Sequence, residues 1–176
     1  ANMLVIFGLV TYATKGVSFG AIEPAIPKMI IPKINGFPTI ILWAVAAIVI
    51  VWFIWNKTTF GKNLYAVGGN PEAAAVSGIS VFGVTMGAFI LAGILYGLGA
   101  WLEGARMVGS GSAAYGQGWE MDAIAACVVG GVSFTGGIGK ISGVVVGVLI
   151  FTVLIYSLTI LGIDTNLQFV FEGIII

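Results

Sequence analysis

Three uncharged apolar runs constrain this chain more than any other feature. They cover Ile34–Asn56, with the apolar part from Thr39 to Trp55, then Val81–Leu102, then Ile141–Ile163. A helix needs about 20 apolar residues to cross about 30 Å of hydrocarbon. Runs this long are too extended for buried strands, and in lipid a helix satisfies its own backbone hydrogen bonds. Composition agrees: 59% of residues are hydrophobic, only 8% are charged, and mean hydropathy is +1.12. A soluble domain carries about 25% charged residues. The expected fold is therefore all-α, a polytopic transmembrane helix bundle with no β-sheet anywhere.

Three weaker stretches complete the pattern. Ala1 to Ala13 reads as the tail of a span and Leu167–Ile176 as the start of another. Ala123–Gly139 is short, and Gly130, Gly131, Gly136, Gly137 and Gly139 crowd its second half. It is expected to be a broken or re-entrant segment facing the bundle interior, because irregular backbone at that depth needs protein or a water-filled cavity beside it. Gly130, Gly131, Ser133 and Thr135 are thus candidates for the translocation path. Gly83/Gly87, Gly93/Gly97 and Gly143/Gly147 are four apart, the spacing of close helix packing in lipid.

Loop 56–80 carries Lys57 and Lys62, and the positive-inside rule assigns it to the cytoplasm. Glu103, Glu120 and Asp122 then lie outside with Arg106. Lys15, Lys28 and Lys33 run against this orientation. Within the loop, Asn70 suits an N-cap and Pro71 the first helical position. Glu72 complements the helix dipole and Gly78 suits the C-terminus. The spacing predicts a short helix over Pro71–Ser77 with small exposed alanines, either an ordinary capped loop helix or a partner contact. Asp122 is expected to cap a helix beginning at Ala123. Trp119 and Tyr115 suit a membrane interface, and whether Glu120 and Asp122 belong to a solvated loop or to the path stays open.

Several chemistries are excluded. With no histidine and Cys127 alone, the chain holds neither an internal disulfide nor a His/Cys metal cluster. Cys127 reads as a small buried hydrophobe. The stretch SFTGGIGKISG fails as a phosphate loop: Phe134 stands where the first glycine belongs, and Ile141 replaces the magnesium-binding hydroxyl. A formal charge of zero gives no field for nucleic acid. No catalytic residue, cofactor or metal ligand is expected, and an ion-coupled carrier is disfavoured because the three runs hold no ionisable relay.

The segments FGKNLYAVGGNPEAAAVSGIS (60–80) and YGQGWEMDAIAACVVGGVSFTGGIGKISGVVVG (115–147) resemble the permeases of bacterial binding-protein-dependent sugar ABC importers. The nearest likeness is to the galactose/methyl-galactoside branch of the ribose-type group. The resemblance covers about residues 50–176. It implies a multi-pass subunit of the bacterial inner membrane that moves a monosaccharide, with branched-chain amino acids or nucleosides as the alternative cargo. A second permease copy, an ABC ATPase carrying ATP and Mg²⁺, and a periplasmic sugar-binding protein are the implied partners. The helix with its flanks, Gly69, Asn70, Pro71, Glu72, Ala73, Ala74, Ser77 and Gly78, is then the coupling helix on the ATPase. Asp122 joins Gly130, Gly131, Ser133 and Thr135 as a path candidate. The family's greater length, with the opening ANMLVIFGLV and the close FEGIII, leads to the expectation of one permease domain, the C-terminal half of a longer chain.

Overall fold

The computed structural model describes residues 2–17, 32–34, 37–107, 111, 115–164, 167–168, 170 and 173. Its elements are α1 (Asn2–Thr14), β1 (Lys33–Ile34), β2 (Phe37–Pro38), α2 (Ile40–Lys57), α3 (Thr59–Gly69), α4 (Pro71–Val76), α5 (Val81–Arg106), α6 (Trp119–Val129) and α7 (Ile141–Ile160). The fold class is all-α. The expectation of no sheet anywhere needs one correction: β1 and β2 form an antiparallel ladder of two residue pairs, Lys33 with Pro38 and Ile34 with Phe37. Pro38 has no N–H to donate and marks the end of the ladder. The further span expected over 167–176 lies mostly outside the described residues.

The three long apolar runs are helices. α2, α5 and α7 hold 18, 26 and 20 residues and are long and apolar enough to cross a membrane. At 1.5 Å per residue they measure about 27, 39 and 30 Å. Their surfaces are apolar: Leu42 (63% exposed), Phe89 (71%) and Val153 (64%) stand out from them. Water would penalise such a surface, whereas lipid tails do not.

The described residues form two compact units. The first comprises residues 1–47 and 90–117. In it Trp43 meets Trp101 edge to face, with centroids 5.8 Å apart, an arrangement the ring quadrupoles favour. At the end of α5, Arg106 Nε donates to both Glu103 carboxylate oxygens at 3.0 Å, and the Tyr115 hydroxyl donates to Glu103 Oε1 at 2.5 Å. That bond to a carboxylate raises the Tyr115 pKa above its ordinary value, with burial adding to the rise.

The second unit comprises residues 48–89 and 118–176. Its packed centre is the α6–α7 hairpin, where Ala125, Ala126 and Phe151 are buried and Ile155 packs beside them. Small residues bring the helix backbones together. A Cβ on Gly143 or Gly147 would strike the Gly130 or Ala126 carbonyl oxygen. Pairing of Ala126 with Gly147 and of Gly130 with Gly143 makes the helices antiparallel. Gly87 is also in contact, with the Phe60 ring against it. Gly93 and Gly97, expected to pack in the same way, face open space.

Candidate functional site

The candidate site lies where the loop after α2 meets the loop between α6 and α7, all within the second unit. α3 was not foreseen, because residues 56–70 read as a loop. Its local cause is visible in the sequence: Thr58 is an N-cap whose Oγ1 accepts from Gly61 N at 3.3 Å and donates to the Ile54 carbonyl at 2.6 Å. That pair of bonds bends the chain sharply out of α2, and only a residue without Cβ fits at Gly61, where Ile54 O would lie 2.6 Å from an added carbon.

α3 passes into α4 through Asn70. The Asn70 N–H donates to Ala66 O at 3.0 Å, closing α3, while its Oδ1 accepts from Ala73 N at 3.0 Å, opening α4. Pro71 occupies the first turn, as expected from its fixed φ. α4 ends with Gly78 at φ +82°, with Gly78 N donating to Ala75 O and Ile79 N to Ala74 O, each at 3.0 Å. This double bond pattern satisfies carbonyls that the last turn leaves free. The expectation that the alanines of α4 are all exposed is corrected at Ala74, which is 4% exposed and packs inward. The outward apolar group is Val76, 91% exposed, which the sequence reading did not single out.

The glycine-rich segment breaks where expected. α6 ends at Val129, and at 11 residues it is about 16 Å long, half of a bilayer core. Gly131 takes φ +79°, with Gly131 N donating to Val128 O (2.8 Å) and Val132 N to Cys127 O (3.0 Å). Gly130 and Gly131 thus end the helix, and Gly130 also packs on α7. Ser133 and Thr135 knot the following turn: their hydroxyls are 2.7 Å apart, Thr135 N donates to Ser133 Oγ at 3.2 Å, and Ser133 N donates to Ile138 O at 3.0 Å. Asp122 is not the expected cap. α6 begins at Trp119 behind Gly118, so Asp122 sits inside the first turn beside Glu120, where the helix dipole favours both carboxylates. It lies eight residues before Gly130, about 12 Å along the axis, and is not gathered with Ser133 and Thr135.

The two glycine-rich loops touch. A Cβ on Gly137 would lie 2.7 Å from Gly69 Cα, one on Gly136 2.5 Å from Gly68 O, and one on Gly68 2.7 Å from Gly137 N. Backbone meets backbone here, so no side chain fits at Gly68, Gly136 or Gly137, whereas a Cβ at Gly69 would point into open space. Beside it the Tyr65 hydroxyl donates to the Gly139 carbonyl at 2.7 Å across 74 residues. An open cleft of about 320 Å³ adjoins this bond, lined by Trp55, Leu64, Tyr65, Cys127, Val132 and Ser133 among others. Among the described residues no group of His, Cys, Asp and Glu could hold a metal. The site offers hydroxyls, carbonyls and aromatic faces.

Comparisons with known proteins agree with this architecture. The galactose/methyl galactoside import permease of Treponema pallidum is 56% identical over the whole chain, which spans 34% of that protein. The galactose/methyl galactoside import permease of Escherichia coli is 50% identical over 78% of the chain and 40% of its own length. The L-arabinose transport system permease of Escherichia coli is 36% identical over the whole chain and 53% of its own length. The chain thus spans about a third to a half of these curated relatives. No solved structure gives a significant match. The family described as branched-chain amino acid transport system/permease component matches residues 1–176. With a match along its entire length, the chain belongs to that family of multi-pass permeases of the bacterial inner membrane.

Proposed function

We propose that residues 1–176 are part of a single transmembrane permease domain, a subunit of an ATP-driven importer that moves galactose or methyl galactoside inward. The carrying observation is the 56% identity along the whole chain to a permease named for that cargo. Identity is lower with permeases named for ribose and xylose, at 42%, and for arabinose, at 36%. A physical argument supports a neutral cargo. Between Ile40 and Asn56, Val81 and Leu102, and Ile141 and Ile160 no side chain is charged, whereas a zwitterionic amino acid calls for charge partners or paired half-helix ends.

In this reading the permease is non-catalytic and works as a pair of copies. A periplasmic binding protein delivers the sugar, and an ATPase pair binds and hydrolyses ATP on the cytoplasmic side. α4 is the coupling helix: Glu72, Ala73 and Val76 share its exposed face, and Val76 is the knob that enters the ATPase. Ser133, Thr135 and the freed carbonyls near Gly130–Gly139 lie on the cytoplasmic part of the sugar path. ATP binding shifts the population between inward- and outward-open forms by its differential affinity for them.

The test is complementation of a strain lacking its galactose permease by the full-length gene. Galactose uptake that methyl galactoside competes away, and leucine does not, is expected. Uptake competed by leucine instead would overturn the sugar assignment. Opposite-charge or bulky replacements at Gly69 and Glu72, and Val76→Asp, should abolish uptake with expression intact, and normal uptake in all three would refute the coupling role of α4.

A further inference from the structure

We infer that α3 is the transmission bar between α4 and the α6–α7 hairpin, and that the Tyr65 hydroxyl is the latch that makes the two move together. This rests on the importer reading above and adds to it the internal connection of the coupling helix.

α3 is held at four points along its 11 residues. At its start Gly61 is seated on the Ile54 and Trp55 carbonyls of α2, and Phe60 lies in the notch left by Gly87 of α5. In its second turn Tyr65 donates to Gly139 O at 2.7 Å. At its end Gly68 and Gly69 lie backbone to backbone against Gly136 and Gly137. Asn70 closes α3 and opens α4 within one residue, so no flexible linker absorbs a displacement of α4.

The receiving side is equally direct. Gly139 is followed by Lys140 and then by the first residue of α7, so a pull on the Gly139 carbonyl acts one residue from a membrane-spanning helix. The glycine seam holds by shape alone, and backbones without side chains can slide along each other. The Tyr65 hydrogen bond is the directional element of the contact, since its strength depends on geometry. With it, displacement of α4 drags the loop and tilts α7; without it, the seam slips.

Tyr65→Phe removes one oxygen and keeps the ring in the cleft wall, so packing is retained. In the full complex of permease, ATPase and binding protein in proteoliposomes, this variant is expected to lower sugar transported per ATP hydrolysed by about fivefold, the equilibrium effect of one net hydrogen bond. ATPase assembly and basal ATP hydrolysis should stay at wild-type level, a separation that a merely structural role would not produce. Gly137→Ala, which puts a methyl group 2.7 Å from Gly69 Cα, should uncouple more strongly. An unchanged ratio in Tyr65→Phe would overturn the latch, and so would loss of assembly or of basal hydrolysis, which would make Tyr65 a packing residue. Wild-type complex that moves no sugar would instead defeat the importer reading itself.

Discussion

Replacing Gly147 by alanine adds one methyl group in the centre of the α6–α7 contact. That carbon would lie 2.6 Å from Gly130 N and 2.8 Å from Gly130 Cα, besides meeting the Ala126 carbonyl oxygen, where ordinary contact begins at 3.4 Å. All three neighbours are backbone, so no side chain can swing aside and the helices must part. Overpacking of this kind costs about 1–3 kcal/mol. Alanine returns about 1 kcal/mol through its better helix propensity. A net loss of up to about 2 kcal/mol follows from these two opposing terms. Gly97→Ala is the matched control, since nothing lies within 4 Å of its added carbon; there the propensity gain stands alone, about 0.5–1 kcal/mol of stabilisation. Cys127, expected to be buried but only half-buried on α6 where it lines the cleft, supplies the probe. Unfolding by SDS in mixed micelles, followed by maleimide labelling of Cys127, should show the midpoint falling for Gly147→Ala and rising for Gly97→Ala. Midpoints that move in the same direction by the same amount would refute the packing argument.

Three further outcomes are expected. Asn70→Ala removes the bond to Ala73 N and should destabilise α4 by about 1 kcal/mol, seen as faster amide exchange over 71–76 and reduced uptake, with Asn70→Ser close to wild type. Ser133→Ala unties the turn at Thr135; reduced sugar uptake at normal expression supports a path role, and normal uptake leaves the hydroxyl a purely local one. Tyr115 should ionise above its ordinary value in an ultraviolet difference titration against Tyr115→Phe, and Glu103→Gln should bring it down. A raised folded-state value means that this contact's stabilisation is complete below the ordinary tyrosine pKa and disappears as pH rises through the raised one.

The spans were legible because hydrophobic length is a one-dimensional property. The start of α4 was legible because Asn70-Pro71 carries the cap and the first turn in adjacent residues, and the break after Val129 because glycines cluster there. α3 was missed since it is amphipathic, short and ends in Gly68–Gly69, which read as loop. Its signal was Thr58, a capping residue three before Gly61. The cap assigned to Asp122 failed because Gly118, with no side chain, starts the helix one turn earlier. Contacts such as Tyr65 with Gly139, or Gly69 with Gly137, join residues about 70 apart, and local pattern does not encode them. The same holds for the glycine pairs: spacing marked Gly93/Gly97 and Gly143/Gly147 alike, and only the second pair has a partner helix against it.

Purified full-length permease, reconstituted with its ATPase and binding protein in proteoliposomes, offers the most direct test of the central claim that this chain belongs to a sugar path driven by ATP. ATP- and binding-protein-dependent accumulation of radiolabelled galactose, reduced by excess methyl galactoside and indifferent to leucine, is the predicted result. Accumulation of leucine in place of galactose, or galactose entry at the same rate without ATP, would contradict it.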